Sequence, residues 1–328
     1  MKVGILRFDN QPSLKMNAIA YICHYHNIDF FYFQPEDVDF NRKVINGRFY
    51  INEKWEYQET SFPDVIDNAP SIAKYRDFYT EMLKHVPMIC YRIGNKQKVQ
   101  NILEKDGQYQ DILIATNEVE DFSNFEKFLA QYSKVILKPI GGNMGRDIFK
   151  VSQNESTYLV ETDHEKLTFV NKTEFEKWFK KKEFSNFVQQ EYVHSLTKNG
   201  LPFDVRVHVR RGLNRKWNTV KIYPRIGIHQ NVTSNISQGG SISKLFSFLK
   251  SNFENYKEIQ DKLNRFAREF PPYFQKFYSY ELDALGVDIG LDLQGNIKLF
   301  EVNTYPGSNF LDMEDSIVRV QYYKSLGQ

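Results

Sequence analysis

The run VGILRF at 3–8 is apolar and bounded by polar residues, which predicts a short buried strand. Beyond it, Leu14, Ala18, Ile22 and Tyr25 recur at helical spacing, predicting a helix over 13–27 with those residues on its apolar face. IDFFYFQP at 28–35 reads as a second strand, so the chain opens β-α-β, the mark of a parallel sheet with a right-handed crossover. Residues 44–58 predict a hairpin turning at or near Asn46-Gly47. PDVIDNAP follows as strand and turn, and MICYRIG at 88–94 as another strand.

Further along, NKQKVQNILEKDG at 95–107 predicts a helix that Gly107 ends. Residues 135–152 read as strand, glycine-rich turn, strand. KTEFEKWFKKKEF at 172–184 is an amphipathic helix, and NFVQQEYV at 186–193 a strand. FDVRVHVRRG at 203–212 alternates strictly, which predicts a half-buried strand. Residues 246–280 are helix-rich and aromatic, and 284–303 form a hairpin turning at 294–296. There is no internal repeat or low-complexity linker, so element order alone sets the domain boundaries.

Composition narrows the class. A length of 328 residues corresponds to two or three domain-sized units, and 41% apolar residues suffice for substantial cores. A net charge of +2, from 43 basic and 41 acidic residues intermixed, gives no sign of a dedicated nucleic-acid binder. Two cysteines, Cys23 and Cys90, make no disulfide framework and read as buried free thiols. No run reaches the roughly 18 apolar residues of a membrane span, and the N-terminus lacks a signal-peptide pattern. The chain therefore reads as cytoplasmic.

Candidate chemistry lies in the last hairpin. Glu301 and Asn303 are two apart on one strand and project together, and the turn brings Asp288 alongside them. Two carboxylates and an amide oxygen suit Mg²⁺ shared with nucleotide phosphates, though the same residues would also serve as a solvated polar face. A second candidate is VILKPIGGNMGRDIF. Here a strand delivers Lys138, and Gly141, Gly142 and Gly145 free the following backbone to close over phosphate oxygens. The loop is neither a Walker A motif nor a dinucleotide fingerprint.

In their order, the lysine strand, glycine loop, FVQQEYV, FDVRV and the D…E-x-N hairpin resemble the ATP-grasp superfamily. They are similar to YheC/YheD-type ATP-grasp proteins, named for the endospore coat. More distantly they resemble the glutamate ligases that extend a ribosomal protein. The quoted motifs run from IGNKQKVQ to EVNTYPG, about two-thirds of the chain, and residues 1–90 depart from the ribosomal-protein ligases.

That resemblance implies an α/β class of fold, with α+β grasp domains. An N-terminal α/β pre-ATP-grasp domain would span 1–92, a lid subdomain with the glycine loop 93–190, and a C-terminal subdomain with the Mg hairpin 191–328. It also implies ATP with two Mg²⁺ ions as cofactors. Lys96 (with Lys98 as competitor), Lys138, Gly141, Gly142 and Gly145 would meet phosphates. Gln190, Glu191 and Val193 would border adenine and ribose, with Asp204 also at the nucleotide. Arg206, Arg225 and Asn235 would be catalytic or shape the acceptor site, and Asp288, Glu301 and Asn303 would hold metal.

Read from the residues alone, Asp204 and Arg206 would equally make a same-face ion pair. His208 and His229 would serve structurally or as a base for an amine. The implied activity is carboxylate–amine ligation through an acylphosphate, acting on small-molecule or peptide substrates. A kinase on the same scaffold and a non-catalytic nucleotide-binding coat or envelope protein are the alternatives.

Overall fold

The computed structural model describes residues 1–140, 147–227, 240–308 and 310–327. Its strands form three sheets that follow one another along the chain. The first contains β1 (Lys2–Leu6), β2 (Asp29–Phe33), β3 (Val38–Asp39), β4 (Val44–Ile51), β5 (Lys54–Ser61) and β6 (Val65–Asn68). Helix α1 (Leu14–Tyr25) links β1 to β2, and α2 (Arg76–Met82) follows β6. β1 lies between β2 and β6 and runs parallel to both, as the β-α-β opening predicts.

Three local expectations are corrected here. α1 buries Met16, Ile19, Ala20 and Cys23, whereas Leu14 and Tyr25 are 81% and 80% exposed. At ~3.6 residues per turn the two sets stand on opposite sides, so the helix is apolar on both faces and periodicity selected the outward one. The first hairpin turns at Asn52 and Glu53, both left-handed at φ 47° and 63°. Asn46-Gly47 lies inside β4, where a Cβ on Gly47 would come within 2.5 Å of the Phe31 ring. Residues 88–94 do not form a strand. A single parallel bridge joins Met88 to Ile66, and the Asn68 amide then binds both backbone groups of Cys90 at 2.9 Å, replacing the ladder.

Helix α3 (Lys96–Asp106) comes next, capped by the Asn95 side chain and ended by Gly107 at φ 82°. The second sheet holds β7 (Thr116–Glu118), β8 (Lys134–Pro139), β9 (Phe149–Asn154), β10 (Thr157–Glu161), β11 (Lys166–Phe169) and β12 (Phe187–Glu191). Its order is β11-β10-β9-β8-β12-β7. Helices α4 (Phe122–Tyr132) and α5 (Lys172–Lys182) cover it, stacking Phe125 on Phe179 and Tyr158 on Phe175.

The third sheet is antiparallel, in the order β15-β14-β13-β16-β17. Its strands are β13 (Phe203–Arg211), β14 (Trp217–Ile226), β15 (Ser241–Ile242), β16 (Ala284–Leu291) and β17 (Ile297–Asn303). Helices α6 (Leu245–Asn252) and α7 (Tyr256–Gln275) close one face over Val205, Val207, Val209, Val287 and Ile289, and Val99 and Leu103 of α3 join that core.

β13 departs from the half-buried expectation, being buried on both faces from Phe203 to Arg210. Helix α8 (Asp312–Leu326) is the reason. Its Asp315 reaches Arg210 at 2.8 Å and His208 at 3.1 Å, sealing part of the polar face. The same helix continues into the first unit, where Val320, Tyr322 and Tyr323 share a core with Val3, Ile5 and Ile19.

Candidate active site

The second sheet and β17 face each other across a narrow cleft, with the first turns of α3 as one wall. Lys138 comes from the end of β8. Its Nζ donates to Gln190 Oε1 at 2.7 Å, and Gln190 Nε2 donates to Thr116 Oγ1 at 2.8 Å. Burial, reinforced by the charge of Lys96, pulls the Lys138 ammonium down to about 7 against the opposing effect of Glu301. Lys96, delivered by the N-terminus of α3, stands 3.3 Å from Glu301.

Of the expected set, Lys96, Lys138, Gln190 and Glu301 line the cleft; Glu191, Val193, Asp204, Arg206, Arg225, Asp288 and Asn303 stand outside its walls. Lys98, the competitor, lines a separate groove on the outer side of α3. The apolar walls come from Val99, Leu113, Ile140, Val188 and Leu299. These had no sequence signal beyond belonging to strands and helices. A flat heteroaromatic ring suits such walls, with polar groups at one end.

The last hairpin sets its carboxylates with a bulge. Asp288 pairs with Glu301 and Gly286 with Asn303, but Ile289 pairs with Leu299, leaving Phe300 as the extra residue. Unbroken alternation would put Leu299, Glu301 and Asn303 on one face. The bulge lets Leu299 and Val302 enter the apolar core while Glu301 and Asn303 turn to the polar side.

Asp288 is held there by two guanidiniums. Arg206 binds it with a fork, Nη2 to Oδ2 at 3.0 Å, and Arg225 Nη2 reaches the same oxygen at 3.0 Å. Burial raises the Asp288 carboxyl, but these two arginines bring it below its usual range. Arg225 also forks onto Asp204 at 2.6 and 2.7 Å. The simple Asp204–Arg206 pair is thus replaced by a lattice of Asp204, Arg225, Asp288 and Arg206. Gly286 makes room for it, since a Cβ there would lie 2.6 Å from Pro306 and 3.0 Å from Arg206.

For Mg²⁺ the donor types fit, since Asp288, Glu301 and Asn303 are hard oxygen ligands in adjoining ladder positions, but both Asp288 oxygens are held by Arg206 and Arg225 and would have to be released to an ion. A set this small is what an ion retaining several waters uses. Among the described residues there is no cluster of three or more histidine, cysteine or acidic side chains, as a fully protein-ligated cation would need.

A buried charge network extends from this face and was missed by sequence reasoning. Arg319 contacts both Asp67 and Asp315; Arg7 reaches Asp67 at 2.8 Å, Arg210 reaches Asp283 at 2.8 Å, and Lys15 reaches Asp315 at 2.6 Å. The alternating Arg206, His208 and Arg210 were a signal that one strand face needed anionic partners. His208 itself is fully enclosed, and burial lowers it to about 4 despite Asp315, which gives it a structural place rather than contact with an incoming amine. Gly141, Gly142, Gly145, His229 and Asn235 lie outside the described residues.

D-alanyl-alanine synthetase A from Vibrio cholerae O1 biovar eltor has the same architecture, at a TM-score of 0.52 and 13% identity over 99% of this chain and 97% of that one. The molecule therefore shares the mixed α/β fold of that protein. The endospore coat-associated proteins YheD and YheC of Bacillus subtilis (strain 168) are 24% and 26% identical over 84% and 85% of the chain. The match spans 64% of YheD and 81% of YheC. A family model of YheC/D-like ATP-grasp proteins matches residues 85–327, and the chain belongs to that family. The resemblance drawn from the motifs is thus upheld.

Proposed function

We propose that this protein is an ATP-dependent carboxylate–amine ligase, working in the cytoplasm on small-molecule or peptide substrates. One observation carries the reading. Lys96 and Lys138 converge with Glu301 in a single cleft, and Glu301 is the ladder partner of Asp288, which holds Arg206 and Arg225.

In this reading Lys138 and Lys96 bind the nucleotide phosphates, and the apolar walls take the base. Asp288, once it exchanges a guanidinium for metal, would with Glu301 and Asn303 hold two Mg²⁺ ions, which would neutralise charge on the transferring phosphoryl group. A substrate carboxylate oxygen attacks the γ-phosphorus, the bond to the β-phosphate oxygen breaks, and ADP leaves. Arg206 and Arg225, fixed by Asp288 and Asp204, stand ready for the developing negative charge. An amine then attacks the acylphosphate carbonyl, phosphate departs, and the amine proton passes to phosphate or solvent. The Vibrio protein of this fold is named for synthesising D-alanyl-alanine, a product joined by an amide bond, which supports the class.

The test is hydroxylamine trapping with ATP and Mg²⁺ across a panel of amino acids, peptides and other carboxylates. A hydroxamate that disappears in Glu301→Ala supports the ligase and names its acid. A stable phosphorylated product without hydroxamate transfers the assignment to a kinase, and nucleotide binding without turnover favours a scaffold.

A further inference from the structure

Asp204 is buried and stands outside the cleft, yet Arg225 takes both of its oxygens, at 2.6 and 2.7 Å. The ladder explains the pairing. β13 lies between β14 and β16, with Asp204 directly opposite Arg225 and Arg206 directly opposite Asp288. Each is an opposite-charge cross-strand pair that would be complete by itself. One diagonal contact across β13 joins them, Arg225 Nη2 to Asp288 Oδ2 at 3.0 Å. That nitrogen also donates to Asp204 Oδ2, and that oxygen also accepts from Arg206 Nη2 at 3.0 Å.

We propose that this diagonal gates metal binding: Asp288 turns to a divalent cation when Arg225 gives up the contact and is retained by Asp204. Asp204 is then a positioning residue that acts through Arg225, not a nucleotide contact. The inference rests on the reading of Asp288 as a metal ligand.

Geometry decides which arginine yields. Arg206 forks onto Asp288 through Nε and Nη2, and it packs against Gly286, where a Cβ would lie 3.0 Å from Nη1. Leaving Asp288 would break both bonds of a buried guanidinium. Arg225 breaks one contact and keeps its fork on Asp204.

Charge decides when it yields. Asp204, Asp288, Arg206 and Arg225 balance one another, so a divalent cation entering alone adds two uncompensated charges to a buried face. Nucleotide phosphates bring the negative charge that offsets it and give the released arginine nitrogen an acceptor. Glu301 sets no comparable barrier, because its contact with Lys96 is 3.3 Å long and both side chains are partly exposed. Metal should therefore bind weakly alone and more tightly with nucleotide, and by linkage nucleotide gains by the same factor.

The test counts bound Mn²⁺ by electron paramagnetic resonance on the full chain, with and without a non-hydrolysable ATP analogue. Arg225→Lys keeps the charge but replaces the fork with a point ammonium that cannot hold both carboxylates, so Mn²⁺ alone should bind roughly 10-fold tighter than to wild type. A site governed by net charge would show no change there. Asp204→Asn leaves Arg225 to Asp288 and should weaken Mn²⁺ roughly 10-fold, an effect that should shrink below about twofold in the Arg225→Lys background. Should Asp204→Asn not fold, Arg225→Lys decides alone. Unchanged or weaker Mn²⁺ binding by folded Arg225→Lys overturns the gate, as does an Asp204→Asn effect that persists in full beside it. Asp288→Asn separates the gate from the reading beneath it. If Mn²⁺ binding with the analogue survives that change undiminished, the metal assignment and the gate fall together. If it is lost there while Arg225→Lys behaves as wild type, the gate alone falls.

Discussion

Lys138 shows how a single side chain is prepared for an anion. It is half-buried, its ammonium is lowered to about 7, and its Nζ is aimed by Gln190. Lys138→Met keeps the bulk and removes the charge, so ATP affinity measured by calorimetry should fall roughly 10- to 100-fold, while the unfolding midpoint holds or rises. His208 gives the opposite case. Its folded value near 4 lies below the ordinary 6.5, so the unfolded chain binds the proton more readily between these values. Stability should therefore decline as pH falls from 6.5 towards 4, by up to roughly 3 kcal/mol. His208→Gln should flatten that decline in urea titrations at successive pH values. Asp288, Glu301 and Asn303 were legible because a two-residue period and one turn suffice to bring them together. The guanidiniums on Asp288 were not, because nothing local in sequence distinguishes Arg206 pairing with Asp204 from Arg206 pairing with a strand 82 residues away.

Elements were legible where one face alone was apolar. α3 was readable from the stretch 95–107 and its terminal Gly107, and α1 was readable as a helix but not as to which side is buried. The first hairpin turn was displaced because Gly47 looked like a turn residue, whereas it is present to admit the Phe31 ring. Gly286 belongs to the same class. Gly286→Ala would press on Pro306 and Arg206, costing about 1–3 kcal/mol in chemical denaturation and distorting the arginine on Asp288. Gly307→Ala, with no atom of the described residues within 4 Å of the added methyl, is the matched control and should change stability by less than about 0.5 kcal/mol. A bulge such as that at Phe300 is invisible in pattern; only the presence of two core residues, Leu299 and Val302, three apart betrays it.

Across the whole molecule, the three sheets appear in sequence order, which is why their succession could be read, but the connection made by α8 could not. That helix follows the third sheet and completes the core of the first, with Arg319 between Asp67 and Asp315. Arg319→Met leaves two buried carboxylates short of a partner and should cost about 3–5 kcal/mol. By contrast Arg42→Ala, which removes an exposed pair with Glu59 on the first hairpin, should cost less than about 1 kcal/mol in the same urea experiment.

The placement of α8 also sets a timetable for the nascent chain. Asp67 emerges from the ribosome 256 residues ahead of Tyr323, the hydroxyl that binds it. At about 5–20 residues per second the interval is roughly 13 to 50 seconds. Through that time β1 and α1 are exposed on the side that α8 will cover. The first sheet, made earliest, is thus among the last parts to mature, and it is the region for which a holding chaperone has the longest opportunity.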